Sequence, residues 1–338
     1  LYWVMPAIYF TQAACRLPIT HVISRVGLRR SLTLGGLSYI VAAAAITLAP
    51  RYWMVIAGMV MWGIGSSGFW ASGAAHLLDA TREERYGRYS GSLFAAVDIG
   101  FIVGVPTLSL LAARAGYEWI GPFVVPVTVV GALALWLVPV RPAETQPASF
   151  GAFRRALTQP WGRTAALLLF FAAFSFGTTL GILSEHTATR YGAGPIALLT
   201  CFYLARILTN IFGGRLSDRL GRAPVVAGAF AIAACGAALT ASTNGAAFAL
   251  PIGSAALGMV FAAVPLTALA LVGDHASEAE RPVVYGSLFV WRDAGVGCST
   301  LLGYYLRELL GGFAQAMWIF AGLWAGLALF SLALRRPK

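Results

Sequence analysis

Long apolar runs, separated by short polar connectors, make up most of the 338-residue chain. Each run is about 20 residues long, which is the length that an α-helix needs to cross the hydrocarbon core of a bilayer. Because most connectors are short, consecutive helices are expected to be antiparallel neighbours. We therefore predict eleven membrane-spanning helices, over residues 1–23, 32–49, 53–78, 89–113, 119–140, 164–184, 195–213, 224–242, 246–272, 284–306 and 312–334.

The composition agrees with a membrane protein. The chain is 59% hydrophobic and 11% charged, whereas soluble domains carry about twice that share of charged residues. Its formal charge is +11, but most arginines lie in the connectors, which is a signal of membrane topology rather than of nucleic-acid binding. We predict a multi-pass protein of the lipid bilayer that binds no nucleic acid.

The basic residues are distributed unequally between the two sides. One set of alternate connectors, together with the C-terminal tail, holds most of the arginines. The positive-inside rule places that set in the cytoplasm, and with it the long polar linker 141–163. The opposite set of connectors, which we predict to be outside, holds only Arg51, Arg114, Arg190 and Arg307.

One segment occurs twice. The frame G-S-L-F-x-x-x-D-x-G covers 91–100 and returns at 286–295, a shift of 195 positions, and Asp79 and Asp274 keep the same spacing. A fixed spacing over this length predicts two homologous halves, as in many transporters. We divide the chain into an N-terminal helical bundle (1–140), the linker (141–163) and a C-terminal bundle (164–338). Glycines of the repeated segments are predicted to bring helices into close contact: Gly91, Gly100, Gly104, Gly286 and Gly295.

The same spacing predicts one more helix before residue 1. The run 164–184 has no counterpart 195 positions earlier, so we expect the intact protein to have twelve helices, six in each half. Without that helix, one wall of a central cavity would be absent, and we expect the chain not to transport.

A connector of the second half carries a family signature. Residues Gly214–Arg222 read G-x-x-x-D-R-x-G-R, which resembles the cytoplasmic signature of the major facilitator superfamily after its second and eighth helices. The matching residues are Gly214, Asp218, Arg219, Gly221 and Arg222. In the first half Ser24 replaces the acid and Thr20 the glycine.

This resemblance covers the whole chain and implies a fold and a function. The fold is all-α, with two six-helix bundles related by pseudo-twofold symmetry, and eleven of the twelve helices are present. The function is transport of a small organic solute by alternating access, with no enzymatic activity, catalytic residues, cofactor or metal. No G-x-x-x-x-G-K or H-E-x-x-H pattern occurs in the sequence, which argues against an ATP-driven pump and a zinc protease.

Two partial motifs favour an exporter. Residues 100–106 read G-x-x-x-G-V-P, which resembles the antiporter signature G-x-x-x-G-P of drug exporters with Val105 inserted. Gly63–Gly65 resembles a second exporter signature, in which Met59 takes the place of an arginine. We predict a monomeric, proton-coupled exporter of a drug or metabolite in a bacterial inner membrane. An importer or uniporter of an organic anion, and a non-transporting receptor of the same fold, are the alternatives.

Five charged residues lie inside the apolar runs: Arg16, Asp98, Arg206, Arg292 and Asp293. Charges facing lipid cost several kcal/mol each, so these side chains must face the interior. All of them except Arg292 lie 8–10 residues from the nearest cytoplasmic helix end. At the rise of an α-helix this is about 12–15 Å, which predicts a position near the bilayer middle.

The family plan sets the fifth helix against the eighth and the second against the eleventh. It therefore implies two pairs, Asp98 with Arg206 and Asp293 with Arg16. As permanent pairs they would be structural, whereas as exchangeable pairs they would couple proton or substrate binding to movement of the halves. Arg292 points about 100° away from Asp293 around a helix, so we expect it to serve a different face.

Four aromatic residues of the apolar runs are candidates for lining a cavity for an amphipathic substrate. A role in packing or at the membrane interface is the alternative. The four are Trp62, Trp70, Tyr203 and Trp291.

Overall fold

A computed structural model of the chain describes residues 2–80, 86–137, 151, 154, 157–192, 195–275 and 281–333, and no strand occurs among them. Most of the predicted linker lies outside these residues. The surroundings of Gly91, Asp79, Asp218 and Asp274 are not described either. The first half contains α1 (Val4–Cys15), α2 (Pro18–Val26), α3 (Leu28–Leu48), α4 (Tyr52–Ala80), α5 (Tyr86–Ala115) and α6 (Ile120–Leu137). The second contains α7 (Pro160–Thr178), α8 (Ser184–Tyr191), α9 (Ile196–Leu220), α10 (Arg222–Ser242), α11 (Ala249–His275), α12 (Arg281–Leu310) and α13 (Phe313–Ala333).

Most predicted spans are single helices. Within the described residues, nine helical stretches are long and apolar enough to cross a membrane, and a π-helical turn over Thr179–Leu183 joins α7 to α8 in one of them. The two other predicted spans are α1 with α2, and α12. The span α12 is 30 residues long but carries buried charges.

The prediction of one continuous helix over residues 1–23 is wrong. The helix α1 ends at Cys15, and α2 begins with Pro18 as its first residue. Proline has no backbone N–H and its ring clashes with the preceding turn, so a helix commonly breaks there. Arg16 lies in this break, although its backbone keeps helical angles, with φ −56° and ψ −39°.

The same glycine turn joins two helix pairs at the predicted cytoplasmic side. Gly27, between α2 and α3, has φ 88° and ψ 155°, and Gly221, between α9 and α10, has φ 87° and ψ 163°. Positive φ values of this size are accessible to glycine at little cost. The first half therefore keeps the turn of the signature although Ser24 and Thr20 have replaced two of its residues.

The two halves meet along two helix pairs. The helix α5 packs against α9, and α1 packs against α12. The largest buried apolar cluster lies in the second half, around α7, and includes Phe174, Phe202, Phe320 and Trp324. This arrangement sets α5 and α12, which carry the repeated segment, across from helices of the opposite half.

Only one of the four repeat glycines with a described environment is in close contact with another helix. A Cβ atom at Gly295 would overlap the backbone oxygen of Phe170 on α7. At Gly100, Gly104 and Gly286, a Cβ would meet no described atom within 4 Å. The same holds for Gly214 of the signature. Of the repeat glycines whose surroundings are described, Gly295 is therefore the one that has the predicted packing role.

We expect Gly295→Ala to destabilise the protein by about 1–3 kcal/mol, because the added methyl group overlaps the α7 backbone and the helices must separate. The matched variant Gly286→Ala lies on the same helix in open space. It should be neutral or stabilising by about 0.5–1 kcal/mol, because alanine favours helix more than glycine does. Thermal unfolding of the two purified variants measures both effects, and a Gly295→Ala protein as stable as the wild type would contradict the close packing.

Candidate functional site

Two ion pairs connect the halves at the centre of the helices. On one side, Asp98 of α5 lies 3.1 Å from Arg206 of α9, measured from Oδ1 to Nη2. On the other, Arg16 donates from Nε to Oδ2 of Asp293 on α12 over 2.6 Å. Both aspartates are 0% exposed. Both predicted pairs are therefore present, and each joins opposite halves.

Asp293 is held by two arginines. Arg16 binds one carboxylate oxygen, and Arg292 donates from Nε and Nη2 to the other oxygen, over 3.0 and 2.7 Å. The expectation that Arg292 serves a different face is wrong, because its long side chain folds back along α12 to its sequence neighbour. Three charge-assisted hydrogen bonds from two guanidinium groups fix this carboxylate in position.

Asp98 is bound much less completely. Its second oxygen, Oδ2, accepts a hydrogen bond of 3.3 Å from Nδ2 of Asn210. Within the described part of the chain, its Oδ1 and Nε of Arg206 are buried without any hydrogen bond, although Oδ1 touches the guanidinium. An unsatisfied buried polar atom costs about 1–3 kcal/mol. This pair therefore leaves both an acceptor and a donor for another partner.

Aromatic rings surround the Arg206 guanidinium. Its central carbon lies 4.8 Å from the ring centre of Phe261 and 5.3 Å from that of Tyr203. Phe101 of the opposite half stacks on Tyr203 with ring centres 4.4 Å apart. Cation–π contact stabilises an arginine that burial has removed from water. It can hold the charge in place when the aspartate is neutral.

A narrow cavity lies beside one arginine of each ion-pair cluster. Arg206 and Asn210 line it beside Arg292, together with Phe94, Phe261, Ala262, Pro265, Leu266, Leu269 and Phe289. The space open to water is about 20 Å³, which is room for one or two water molecules. The cavity extends from the ion pairs towards the predicted cytoplasmic side, because Asn210 follows Arg206 by one turn on a helix that ends there.

Contacts between the halves also occur on the predicted outer side of the ion pairs. Tyr2 and Tyr304 have ring centres 4.2 Å apart, and Tyr9 meets Phe176 edge-on at 6.1 Å. The ring of Phe10 lies against Gly297. These contacts close the outer side above the charged centre.

Sequence reasoning missed Asn210. Asparagine in a membrane span is a polar residue that needs a partner, and position 210 lies four residues after Arg206 on the same face of α9. That spacing was the available signal. Of the aromatic candidates, Tyr203 reaches the central charges. Trp62 meets Tyr39 edge-on, and Trp70 stacks on Phe94. Trp291 contacts Phe170 and is 38% exposed.

A family model supports what the geometry suggests. The model of the Major Facilitator Superfamily matches residues 1–194 and again residues 165–338. The chain belongs to the Major Facilitator Superfamily. It is therefore a multi-pass membrane protein of the secondary-transporter class, in a family of carriers rather than enzymes.

Solved structures of this superfamily share the fold. A variant of the E. coli fucose:proton symporter FucP gives a TM-score of 0.72 at 16% identity, over 99% of this chain and 90% of that one. The human organic anion transporter MFSD10 gives a TM-score of 0.75 at 17% identity, over 98% of this chain and 83% of that one. FucP in its outward conformation gives a TM-score of 0.70 at 16% identity, over 99% of this chain and 89% of that one. No curated protein matches the chain by sequence, and identities this low indicate the shared fold alone.

Proposed function

We propose that this protein is a proton-coupled transporter of a small organic solute, in which Asp98 carries the proton and Arg206 with Asn210 binds the solute. The observation behind this proposal is the incomplete hydrogen bonding of the Asp98–Arg206 pair. A proton on Asp98 removes the charge that holds Arg206. The guanidinium then has free donors for an acceptor group of the solute.

The pair also supplies a connection between solute binding and movement. Asp98 and Arg206 belong to opposite halves, so their attraction pulls α5 towards α9. Protonation weakens that attraction, and deprotonation restores it. A ligand changes the balance between two conformations only through its different affinity for them. A solute that takes the place of Asp98 at Arg206 would bind with different affinity to the conformations in which α5 and α9 are together and apart.

Asp293 has a different role in this proposal. Its carboxylate accepts three hydrogen bonds from two arginines, whereas Asp98 accepts one from Asn210. We assign to the Arg16–Asp293–Arg292 cluster the task of holding α1 and α12 together and of setting the charge of the cavity. The sequence-based prediction treated the two acids as equivalent, whereas this proposal separates them.

For direction, we propose export of a drug or metabolite in exchange for protons, by a monomer in a bacterial inner membrane. The support is the partial resemblance of residues 100–106 and 63–65 to exporter signatures. The loop residues Gly214, Asp218, Arg219, Gly221 and Arg222 would serve as the cytoplasmic latch of the transport cycle.

A second candidate is transport of an organic anion without protons, inward or in either direction. The central layer holds three arginines and two aspartates, which leaves one net positive charge beside the cavity. An anionic solute would neutralise that charge. The structural neighbour MFSD10 is an organic anion transporter, which is compatible with this candidate.

The test uses the full-length protein in liposomes that contain a pH-sensitive dye and carry an imposed proton gradient. We would add amphipathic solutes and small organic anions in turn. Solute-dependent collapse of the gradient supports proton coupling. Saturable anion flux that ignores the gradient supports the second candidate, and the absence of any saturable flux would favour a receptor.

Arg206→Lys provides a sharper test of the solute site. Lysine keeps the charge but loses the planar fork of donors, so we expect the Michaelis constant for solute to rise about tenfold or more. Arg215→Lys, at an exposed position near the cytoplasmic end of the same helix α9, is the matched control and should transport like the wild type. Equal Michaelis constants in the two variants would contradict solute binding at Arg206.

A further inference from the structure

A second contact between the halves lies one helical turn from the Asp98–Arg206 pair. The rings of Phe101 on α5 and Tyr203 on α9 are stacked, with their centres 4.4 Å apart and their planes 4° from parallel. Residues three apart are neighbours on one face of a helix, so Asp98 lies beside Phe101 on α5, and Arg206 lies beside Tyr203 on α9. Each half therefore presents one charge and one aromatic ring to the other.

The two rings of this stack are covered unequally. Tyr203 is 1% exposed, whereas Phe101 is 41% exposed. Two rings of the C-terminal half, Phe202 and Phe176, meet Tyr203 edge-on, with ring centres 5.4 and 6.5 Å away. Phe101 of the opposite half is stacked parallel to it. Movement of α5 away from α9 therefore uncovers a flat aromatic face on Tyr203, which its own half continues to support.

The Arg206 guanidinium stays beside that face when the halves separate. Both rings that it contacts most closely, Phe261 and Tyr203, belong to its own half. These cation–π contacts do not depend on Asp98. Separation of the halves would leave a planar cation next to an aromatic face. An aromatic ring that carries a carboxylate matches both groups, because guanidinium binds carboxylate and rings stack on rings.

We propose, on the basis of the proposed solute site at Arg206, that the solute is a small aromatic carboxylate for which Asp98 and Phe101 are an internal substitute. The carboxylate of the solute takes the position of the Asp98 carboxylate at Arg206. Its ring takes the position of Phe101 on Tyr203. While the halves are together, the two side chains of α5 fill the site themselves.

The experiment measures binding of three probes to the full-length protein in nanodiscs by isothermal titration calorimetry. The first probe is 3-phenylpropionate. The second, 3-cyclohexylpropionate, keeps the carboxylate but has no aromatic face, and the third, 3-phenylpropanol, keeps the ring but has no charge. We expect 3-phenylpropionate to bind about threefold or more tightly than the cyclohexyl acid, and about tenfold or more tightly than the alcohol.

The cyclohexyl acid is the more hydrophobic of the two acids, so burial of apolar surface alone would give the opposite preference. Equal affinities for the two acids would overturn the aromatic face. Equal affinities for 3-phenylpropionate and the alcohol would overturn the carboxylate. Absence of measurable binding of 3-phenylpropionate would overturn the proposal as a whole.

Two variants should change the affinity in opposite directions. Tyr203→Leu removes the aromatic face, so the two acids should bind about equally. Phe101→Leu removes the ring that competes with the solute, so 3-phenylpropionate should bind about twofold or more tightly. Phe123→Leu on α6, 42% exposed in the same half, is the matched control and should bind like the wild type. A folded Phe101→Leu protein that binds no more tightly than the control would contradict the proposal, whether or not the Tyr203 variant folds.

Arg206→Lys separates failure of this proposal from failure of the proposed function. If the variant binds the cyclohexyl acid about tenfold more weakly while the wild type does not distinguish the two acids, the solute site is correct and the aromatic solute is wrong. If the variant binds both acids like the wild type, the solute site at Arg206 is wrong, and the aromatic solute is wrong with it.

Discussion

Asp98→Asn is expected to abolish transport driven by a proton gradient while solute exchange at equal concentrations continues. Asparagine has nearly the shape of aspartate but cannot gain or lose a proton. It therefore imitates the protonated state, in which Arg206 is released for solute. Loss of coupling should exceed tenfold in gradient-driven flux, because the described residues that line the central cavity include no carboxylate that could take over the proton.

The measurement compares two assays on one preparation. Gradient-driven flux and exchange of labelled for unlabelled solute are recorded in proteoliposomes across a range of pH values. Exchange serves as the internal control, since it requires a folded, solute-binding protein. Asp98→Glu, which keeps a titratable group, should recover part of the coupled flux. An Asp98→Asn protein with unchanged pH dependence would show that another group carries the proton.

Asp293→Asn should act on stability instead. The substitution leaves Arg16 and Arg292 buried beside a neutral amide. Removing one partner of a buried ion pair costs about 3–5 kcal/mol, because the remaining charge is uncompensated. We expect a large fall in the melting temperature of the purified protein, and poor recovery from membranes.

A second substitution should restore part of that loss. In the double variant Arg16→Met with Asp293→Asn, one of the two unpaired charges is gone. The double variant should therefore be destabilised by less than the sum of the two single variants, measured in a double-mutant cycle. Asp98→Asn should cost less than Asp293→Asn, because Asp98 accepts one hydrogen bond and Asp293 accepts three. The reverse order of stabilities would contradict the assignment of Asp98 as exchangeable and Asp293 as structural.

The sequence alone was sufficient to predict the two pairs between the halves. The internal repeat placed Asp98 and Asp293 at matching depths, and the family plan named the opposite helices. A charge inside an apolar run has few ways to avoid lipid, so each acid had to meet one of the available arginines. That constraint made the pairing predictable without coordinates.

The difference between the pairs was not predictable in the same way. It depends on the conformations of long side chains. A helical projection gives the direction of the Arg292 Cβ atom but not the position of its guanidinium group. Arginine has four flexible side-chain bonds, so its guanidinium reaches groups that its Cβ does not face. Likewise, the π-helical turn that joins α7 to α8 at Thr179–Leu183 was not among the elements predicted from the sequence.

The positions of the central arginines break the symmetry of the two halves. The two acids are separated by the repeat distance, but the residue 195 positions before Arg206 is Thr11, and the residue 195 positions after Arg16 is Ile211. The internal repeat therefore relates the two carboxylates to each other but not their cations. Each half supplies its arginine from a different position along the helix, and the two acids are hydrogen-bonded unequally.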